Sequence, residues 1–201
     1  MRRRVSSRTA RSRASFWPIG ALLVLLVMPY PASPARSAES AVEFMKRASR
    51  ELIAASNTGS QQAFVDAVQK YGDVPAIGLY ALGNYRLQLR PKDRDSYYAG
   101  MVRFLARFAA EAAPKYPVSH AEILSPAVRS DKLVFVDSRV HLKSGSVYDV
   151  RWLLVPQGNS FRLRDAEVLG FWMSPFLKNL FEDYISKNGG NPRALTAALS
   201  R

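Results

Sequence analysis

The hydrophobic period changes twice along this chain, and these changes constrain its fold more than any other feature. Between residues 40 and 113 the apolar residues recur about every 3.6 positions, which is the spacing of one helix face. Between residues 133 and 170 they alternate with polar residues, as in a strand with one buried face. From residue 174 the helical spacing returns. This order predicts an α+β fold in which helices pack on one face of a curved antiparallel sheet.

Local signals place four helices in the amino-terminal half. Ser40 followed by Glu43 forms a capping box at the start of the first helix. The second helix is predicted over 60–71, and Asp73 is predicted to cap a short third helix. The longest helix is predicted over 92–113, with large apolar side chains along one side.

Four strands are predicted in the middle of the chain, forming an antiparallel meander. Their predicted bounds are 119–124, 133–142, 148–154 and 161–170. After them Ser174-Pro175 is predicted to start another helix, because serine caps helices and proline suits the first helical position. Asn191-Pro192 carries the same kind of signal for a last short helix.

Residues 1–38 have the three parts of a secretory signal peptide. Six arginines precede an uncharged apolar run over 19–28, and three prolines follow it. Cleavage is predicted near 35–38, which leaves 39–201 as a single α+β domain. The prediction is therefore an exported protein.

Two alternatives concern how this segment acts. An uncleaved membrane anchor is one, although the apolar run has about half of the roughly 20 residues that span a bilayer. The consecutive arginines also raise the twin-arginine export route, but the hydrophobicity of the run favours general secretion. Both routes export the chain.

The charge of the chain is divided unevenly between these two parts. The net charge is +13, from 29 basic and 16 acidic residues, yet seven basic residues and no acidic one lie within residues 1–38. The remaining +6 is spread over a surface where basic and acidic residues alternate, as in Lys92-Asp93-Arg94-Asp95. This pattern does not favour nucleic-acid binding, which needs a continuous basic stripe.

Catalytic and metal-binding signatures are missing from the sequence. The chain has no cysteine, which excludes a disulfide scaffold and a thiolate metal site. Its two histidines are His120 and His141, and the second shares a strand face with Asp137 and Arg139, so a surface position is predicted. We find no nucleophile elbow, phosphate loop, dinucleotide fingerprint or zinc-binding histidine pair. The expectation is a protein that is not an enzyme and holds no metal.

Large apolar side chains are concentrated on facing sides of the predicted helices and strands. They include aromatic residues of the long helix, of the strands and of the helix that starts at Ser174. Such a set can fill an ordinary core, or it can line an apolar cavity between helices and a concave sheet. Hydrophobic periodicity is the same in both cases, so both interpretations stand.

Several short segments follow one another in a distinctive order. They are Leu82-Gly83-Asn84-Tyr85-Arg86, Tyr97-Tyr98 with Phe104-Leu105 and Tyr116, Tyr148-Asp149-Val150-Arg151-Trp152, Phe161-Arg162-Leu163-Arg164-Asp165 with Gly170, and Asn188-Gly189-Gly190. In order and spacing they resemble the MlaC family over nearly all of the chain after residue 38. One departure is Leu169-Gly170-Phe171-Trp172, where the family tends to have Glu-Gly-Val-Ser, and we expect it to reshape the mouth of a pocket.

Members of that family are exported phospholipid-shuttling proteins, also called toluene-tolerance auxiliary components of ABC transporters. The resemblance implies a soluble periplasmic carrier that holds the acyl chains of a phospholipid, or of a related lipid such as a hopanoid, between helices and sheet. It implies a role in outer-membrane lipid asymmetry and two partners, an inner-membrane ABC transporter complex with its lipid-binding ring subunit and an outer-membrane lipoprotein complex. No cofactor is expected beyond the lipid cargo.

The expected wall of the lipid site is apolar and comes from the helices, the strands and the segment that follows them. It consists of Tyr80, Tyr97, Met101, Phe104, Leu105, Phe108, Val134, Val136, Val150 and Trp152, with Phe171 and Trp172 near the rim. Arg86, Arg103 and Arg107 are candidates for contact with a head-group phosphate or an acidic docking partner. The alternative function is an exported cone-shaped α+β enzyme that acts on a small apolar substrate. Such an enzyme would use Asp165 or Tyr148 as an acid or base, although a structural role is favoured for Asp165.

Overall fold

Six α-helices and six β-strands form the part of the chain that the computed structural model describes, residues 39–124, 127–130 and 133–201. The predicted signal peptide at 1–38 lies outside the described residues. Helices come first, the strands follow, and two helices end the chain. The α+β class predicted from the hydrophobic period is confirmed.

Four helices precede the sheet, as predicted. They are α1 Ala41–Thr58, α2 Gln61–Tyr71, α3 Val74–Ala81 and α4 Arg94–Ala112. The Ser40 hydroxyl accepts a hydrogen bond from the Glu43 amide at 3.1 Å, which confirms the cap of α1. Asp73 occupies the N-cap position of α3, as predicted, but its side chain makes no capping hydrogen bond. Within the described residues the Asp73 carboxylate accepts hydrogen bonds from Arg164 at 2.6 and 3.0 Å instead. A guanidinium from a distant strand competes successfully with the helix for this carboxylate.

The strands form one antiparallel sheet. They are β1 Val118–Ile123, β2 Val128–Ser130, β3 Leu133–Leu142, β4 Val147–Gln157, β5 Ser160–Val168 and β6 Phe171–Trp172. They are ordered β1-β3-β4-β5-β6, and β2 also pairs with β3. The four predicted strands are confirmed, and the short strands β2 and β6 are additional.

The two faces of the sheet differ in polarity. Val134 and Val136 of β3 are buried on the face we call the inner face, and Trp152 of β4 lies opposite Val136 in the register. On the other face, here the outer face, Arg151 Nε donates to Asp137 Oδ1 at 2.8 Å. Helices therefore cover only the inner face, which is the arrangement that alternation predicts.

The two histidines meet on the outer face. His141 of β3 is half-buried there beside Arg139, and His120 of β1 is its exposed partner in the register. Their rings stack with centroids 4.2 Å apart. The predicted outer-face position of His141 is confirmed.

The sheet is joined directly to the carboxy-terminal helices, α5 Met173–Lys187 and α6 Pro192–Leu199. Asp165 Oδ1 accepts hydrogen bonds from the Ala166 amide at 2.8 Å and from the Ser174 amide at 2.9 Å. A carboxylate from β5 therefore accepts a hydrogen bond from a free backbone amide at the start of α5. The predicted cap by Ser174 is wrong because this residue lies inside the helix. Asp165 has the structural role that was favoured for it.

Buried apolar side chains form two main clusters. The sheet cluster joins α1 and α2 to the inner face, and its buried members are Ala41, Phe44, Met45, Ala48, Ala67, Tyr71, Val134, Val136, Leu154 and Phe161. The helical cluster joins α3, α4, α5 and α6, and its buried members are Ala81, Leu82, Leu89, Tyr97, Met101, Leu177, Phe181, Ile185, Leu195 and Leu199. A third, smaller cluster joins α1, α2 and α4, and its buried members are Ala55, Phe64, Ala106 and Ala113.

Candidate functional site

The predicted wall residues are divided between the two clusters and the surface. On the inner face, Val134 and Val136 are buried and Trp152 packs half-buried against them. Trp152 Nε1 donates a hydrogen bond to Ser138 Oγ at 2.9 Å, and Val150 lies opposite Ser138 in the register with 7% of its surface exposed. These residues form an apolar strip with one polar anchor.

A second group of wall residues lies in α4, and it consists of Tyr97, Met101, Phe104 and Leu105. Tyr97 and Met101 are fully buried, and the Tyr97 hydroxyl donates to the Gly78 carbonyl at 2.8 Å. Burial raises the pKa of Tyr97, with a smaller contribution from Tyr98, so the phenol stays a neutral donor. Phe104 is half-buried with its ring 5.7 Å from that of Phe181, in an edge-to-face contact. The helical group therefore has a closed interior and a half-open edge.

Three of the predicted residues are exposed. Tyr80 retains 48% of its surface, Phe108 60% and Phe171 73%. Exposed apolar residues are common on protein surfaces, so exposure by itself assigns no role to these three rings. They are free to contact a ligand or a partner.

Trp172 does not join the other predicted residues. In the β5–β6 register it lies opposite Glu167, which is itself opposite Arg151 of the outer face. Its ring contacts Phe135 with centroids 6.4 Å apart. Phe171, the neighbour in β6, is paired with Val168 and lies on the inner-face side. The two rim candidates are thus on opposite faces of the sheet.

The three candidate arginines are all exposed. Arg107 lies beside the half-open edge of the helical group, because its guanidinium carbon is 6.0 Å from the centre of the Phe104 ring. A cation over a ring can accept an anion on its free side while the ring contacts apolar groups. Of the three, Arg107 is the one placed next to a predicted wall residue.

Open grooves of several hundred cubic ångströms occur on the surface. Two of them, of about 420 and 450 Å³, run along α2 and α4 and share Gln69, Ala99 and Val102. A third, of about 660 Å³, lies along the sheet and includes Val150 among charged residues of the outer face. The first two contain none of the predicted wall residues, and both are lined by a mixture of polar and apolar groups.

Sequence reasoning missed two residues of interest. Ser138 anchors Trp152, and its position could have been found because it has the same strand parity as the buried Val136. Leu169 has a left-handed backbone with φ of 54°. No residue pattern signals that conformation for leucine, so only the structure shows it.

The described residues offer little for catalysis or metal binding. Within them, no group of three or more His, Asp or Glu side chains is placed to hold a metal ion. The same part of the chain contains no helix that is both long enough and apolar enough to cross a membrane. What the arrangement offers is apolar surface with a few polar anchors, which suits binding of an apolar group.

Comparison with known proteins supports the fold. The family model described as MlaC protein matches residues 36–201. The structure of a phospholipid-binding protein from Ralstonia solanacearum, solved in complex with a phospholipid, is similar with a TM-score of 0.62. The two chains are 22% identical, and the match covers 80% of this chain and 95% of the other. No curated protein matches the sequence.

Proposed function

The chain belongs to the MlaC family, as its sequence resemblance predicted, and from this premise we propose that it is a periplasmic lipid carrier. The carrier holds the acyl chains of a phospholipid or a related lipid between helices and sheet. The observation that carries the proposal is the family match over 36–201. It is supported by the similar fold of a protein that was solved with a phospholipid bound.

The energetics of lipid transfer explain why such a carrier needs an apolar site and no energy source of its own. Burying one methylene contributes about 0.8 kcal/mol, so two acyl chains of ordinary length gain on the order of 20 kcal/mol relative to water. A free lipid therefore does not cross an aqueous compartment at a useful rate. Exchange between a bilayer and an apolar protein site is nearly neutral, because the acyl chains stay out of water in both.

The proposed position of the acyl chains is the boundary between the two clusters. Trp152 lies at the edge of the sheet cluster, and Phe104 lies at the edge of the helical cluster. Both side chains are half-buried, so each has surface left to contact a guest. Arg107 beside Phe104 is the proposed contact for the head-group phosphate.

The proposal includes export and two docking partners. The arginine-rich, apolar residues 1–38 are the basis for placing the protein in the periplasm. Family membership is the basis for an inner-membrane ABC transporter complex as one partner and an outer-membrane lipoprotein complex as the other. We assign no catalytic step, and the enzyme alternative is weakened because Asp165 Oδ1 is already bonded to two backbone amides.

Native mass spectrometry of the exported protein tests the proposal. Wild-type protein is expected to retain a lipid that is released under denaturing conditions. Phe104→Ala is expected to lower lipid occupancy several-fold, because it removes a ring at the boundary of the clusters. Phe135→Ala is the matched control, since Phe135 is also a half-buried phenylalanine with an edge-to-face partner but lies on the outer face.

Two results would contradict the carrier. One is wild-type protein that emerges without lipid and takes up none from micelles. The other is an equal loss of lipid in Phe104→Ala and Phe135→Ala when circular dichroism shows both variants folded, because lipid retention would then not depend on the boundary between the clusters.

A further inference from the structure

The junction between the sheet and α5 exposes an unusual amount of apolar surface. Leu169, Phe171, Met173 and Phe176 retain 68%, 73%, 41% and 60% of their surface. We call these four residues the apolar tip. They lie in a run from Val168 to Leu177 that contains no charged residue.

The turn at the apolar tip is held in a conformation that its sequence does not favour. Leu169 and Gly170 connect β5 to β6 with φ of 54° and 81°. A two-residue hairpin turn with positive φ at both positions favours Asn-Gly, because asparagine tolerates the left-handed region and leucine does not. An exposed leucine in this place weakens the fold and gains no packing, which points to a role outside folding.

The apolar tip is mounted rigidly on the sheet. Phe171 pairs with Val168 in the β5–β6 ladder, and the Ser174 amide is bonded to Asp165. Trp172 packs on Phe135 on the outer face of the sheet. The backbone of the apolar tip is therefore fixed relative to the sheet.

We propose that the apolar tip inserts into the boundary between head groups and acyl chains of a lipid bilayer. The run from 168 to 177 contains no charged residue. The charged side chains that share a groove with Leu169 lie beside the tip on the sheet, and they are Asp137, Arg139, Asp149, Arg151 and Glu167. A bilayer is the surface that penalises charge most strongly, so the uncharged run is the part that would insert. Trp172, in the same run, supplies the amphipathic ring that favours the membrane interface.

The net charge of the chain also favours a lipid bilayer as the surface that the apolar tip contacts. Residues 39–201 contain 22 basic and 16 acidic residues, a net of +6, which attracts the chain to an anionic bilayer before insertion. The inference rests on the proposed function, because a lipid carrier has to collect or deliver its cargo at a membrane. It goes beyond that function by giving the protein a direct contact with the bilayer.

Cosedimentation with vesicles of phosphatidylethanolamine and phosphatidylglycerol tests the inference. Wild-type exported protein is expected to sediment with the vesicles, and Leu169→Asn is expected to bind them about tenfold more weakly, the effect of no longer burying one leucine. This variant should fold at least as well as wild type, because asparagine suits the turn. Leu87→Asn is the matched control, since Leu87 is 89% exposed but lies between α3 and α4.

Native mass spectrometry of the same samples separates this inference from the proposed function. Wild-type protein that carries lipid but does not sediment with vesicles overturns the membrane contact and leaves the carrier intact. Equal loss of vesicle binding in Leu169→Asn and Leu87→Asn also overturns it. Self-association that depends on Leu169, without vesicle binding, would show that the apolar tip contacts a second copy of the chain. That result would also overturn the proposed insertion into a bilayer.

Discussion

The sheet cluster and the helical cluster end differently at their edges. At the edge of the sheet cluster, Glu39 forms a two-pronged ion pair with Arg47, with distances of 2.8 to 3.2 Å. The Arg47 guanidinium also lies 5.6 Å from the Phe44 ring and 5.3 Å from the Tyr71 ring. The helical cluster is bordered instead by exposed aromatic residues, of which Phe108 and Phe176 each retain 60% of their surface.

The difference is between an edge that is covered and an edge that is left open. The Arg47 guanidinium covers the Phe44 and Tyr71 rings, so this part of the sheet cluster is closed, although Trp152 leaves another part of it half-buried. Apolar surface remains uncovered around the helical cluster, where a lipid tail or a membrane can cover it. Stability and binding should therefore respond to different substitutions in the two regions.

The largest change in stability is expected from a substitution in the sheet cluster. Phe44→Ala should lower the free energy of unfolding by about 3 to 5 kcal/mol, because Phe44 is 2% exposed and packs on Tyr71 and Phe161. Phe176→Ala should change it by less than about 0.5 kcal/mol. Urea denaturation measures the free energy of unfolding of both variants. Similar decreases for the two variants would contradict the difference between a closed sheet cluster and an open helical edge.

A smaller loss of stability is expected from a substitution inside the helical cluster. Tyr97→Phe removes the hydroxyl that donates to the Gly78 carbonyl and should cost about 1 to 2 kcal/mol. Tyr116→Phe is the control, because Tyr116 is 56% exposed. Thermal unfolding of the two variants gives the comparison. An unchanged midpoint for Tyr97→Phe would mean that the interior of this cluster is as loosely held as its edge.

The smallest effect concerns pH and the charged edge of the sheet cluster. Desolvation alone would raise the pKa of Glu39, but hydrogen bonds from Arg47 and Ser160 outweigh it and hold the pKa below its ordinary value of 4.5. The ion pair therefore stabilises the fold above that value and loses this contribution as the pH falls through the lower pKa of the folded state. Solvent screens the pair because both side chains are partly exposed, so its contribution is at most about 1 kcal/mol.

Glu39→Gln should accordingly be less stable than wild type at neutral pH. The difference should shrink as the pH falls below the ordinary value of 4.5 and through the lower pKa of the folded state, where the folded wild-type carboxylate also becomes protonated. Urea denaturation at a series of pH values measures this difference. A difference that stays constant over this whole range would show that Glu39 acts through packing and not through its charge.

Much of the fold could be predicted because local signals and tertiary structure agree. The Ser40 cap of α1 and the bounds of β3 follow from neighbours in sequence, and the structure has both. The side-chain capping bonds expected of Asp73 and Ser174 are not made within the described residues, because the decisive partners, Arg164 and Asp165, lie in another element, β5. A residue pattern cannot show which of two competing hydrogen bonds a side chain makes.

The candidate site was harder to predict for two physical reasons. Side chains that fill a core and side chains that line a cavity have the same polarity and spacing, so Met101 and Trp152 could not be told apart. The face of Trp172 depends on the turn at Leu169, because a two-residue turn resets the alternation between strands. Adjacent residues of a strand always point to opposite faces, but only the turn decides that Phe171, and not Trp172, lies on the inner-face side.

The hydrogen bond between Trp152 and Ser138 gives the molecule an internal optical reporter. The indole N–H is fixed at 2.9 Å from its acceptor, so the polarity around the rest of the ring depends on whatever covers its half-buried face. Of the three tryptophans in the chain, one lies within residues 1–38, which leaves Trp152 and Trp172 within residues 39–201. Replacing Trp172 by phenylalanine would leave Trp152 as the single tryptophan of residues 39–201, at the edge of the sheet cluster. Its emission would then respond to any ligand that covers its half-buried face, without an added label.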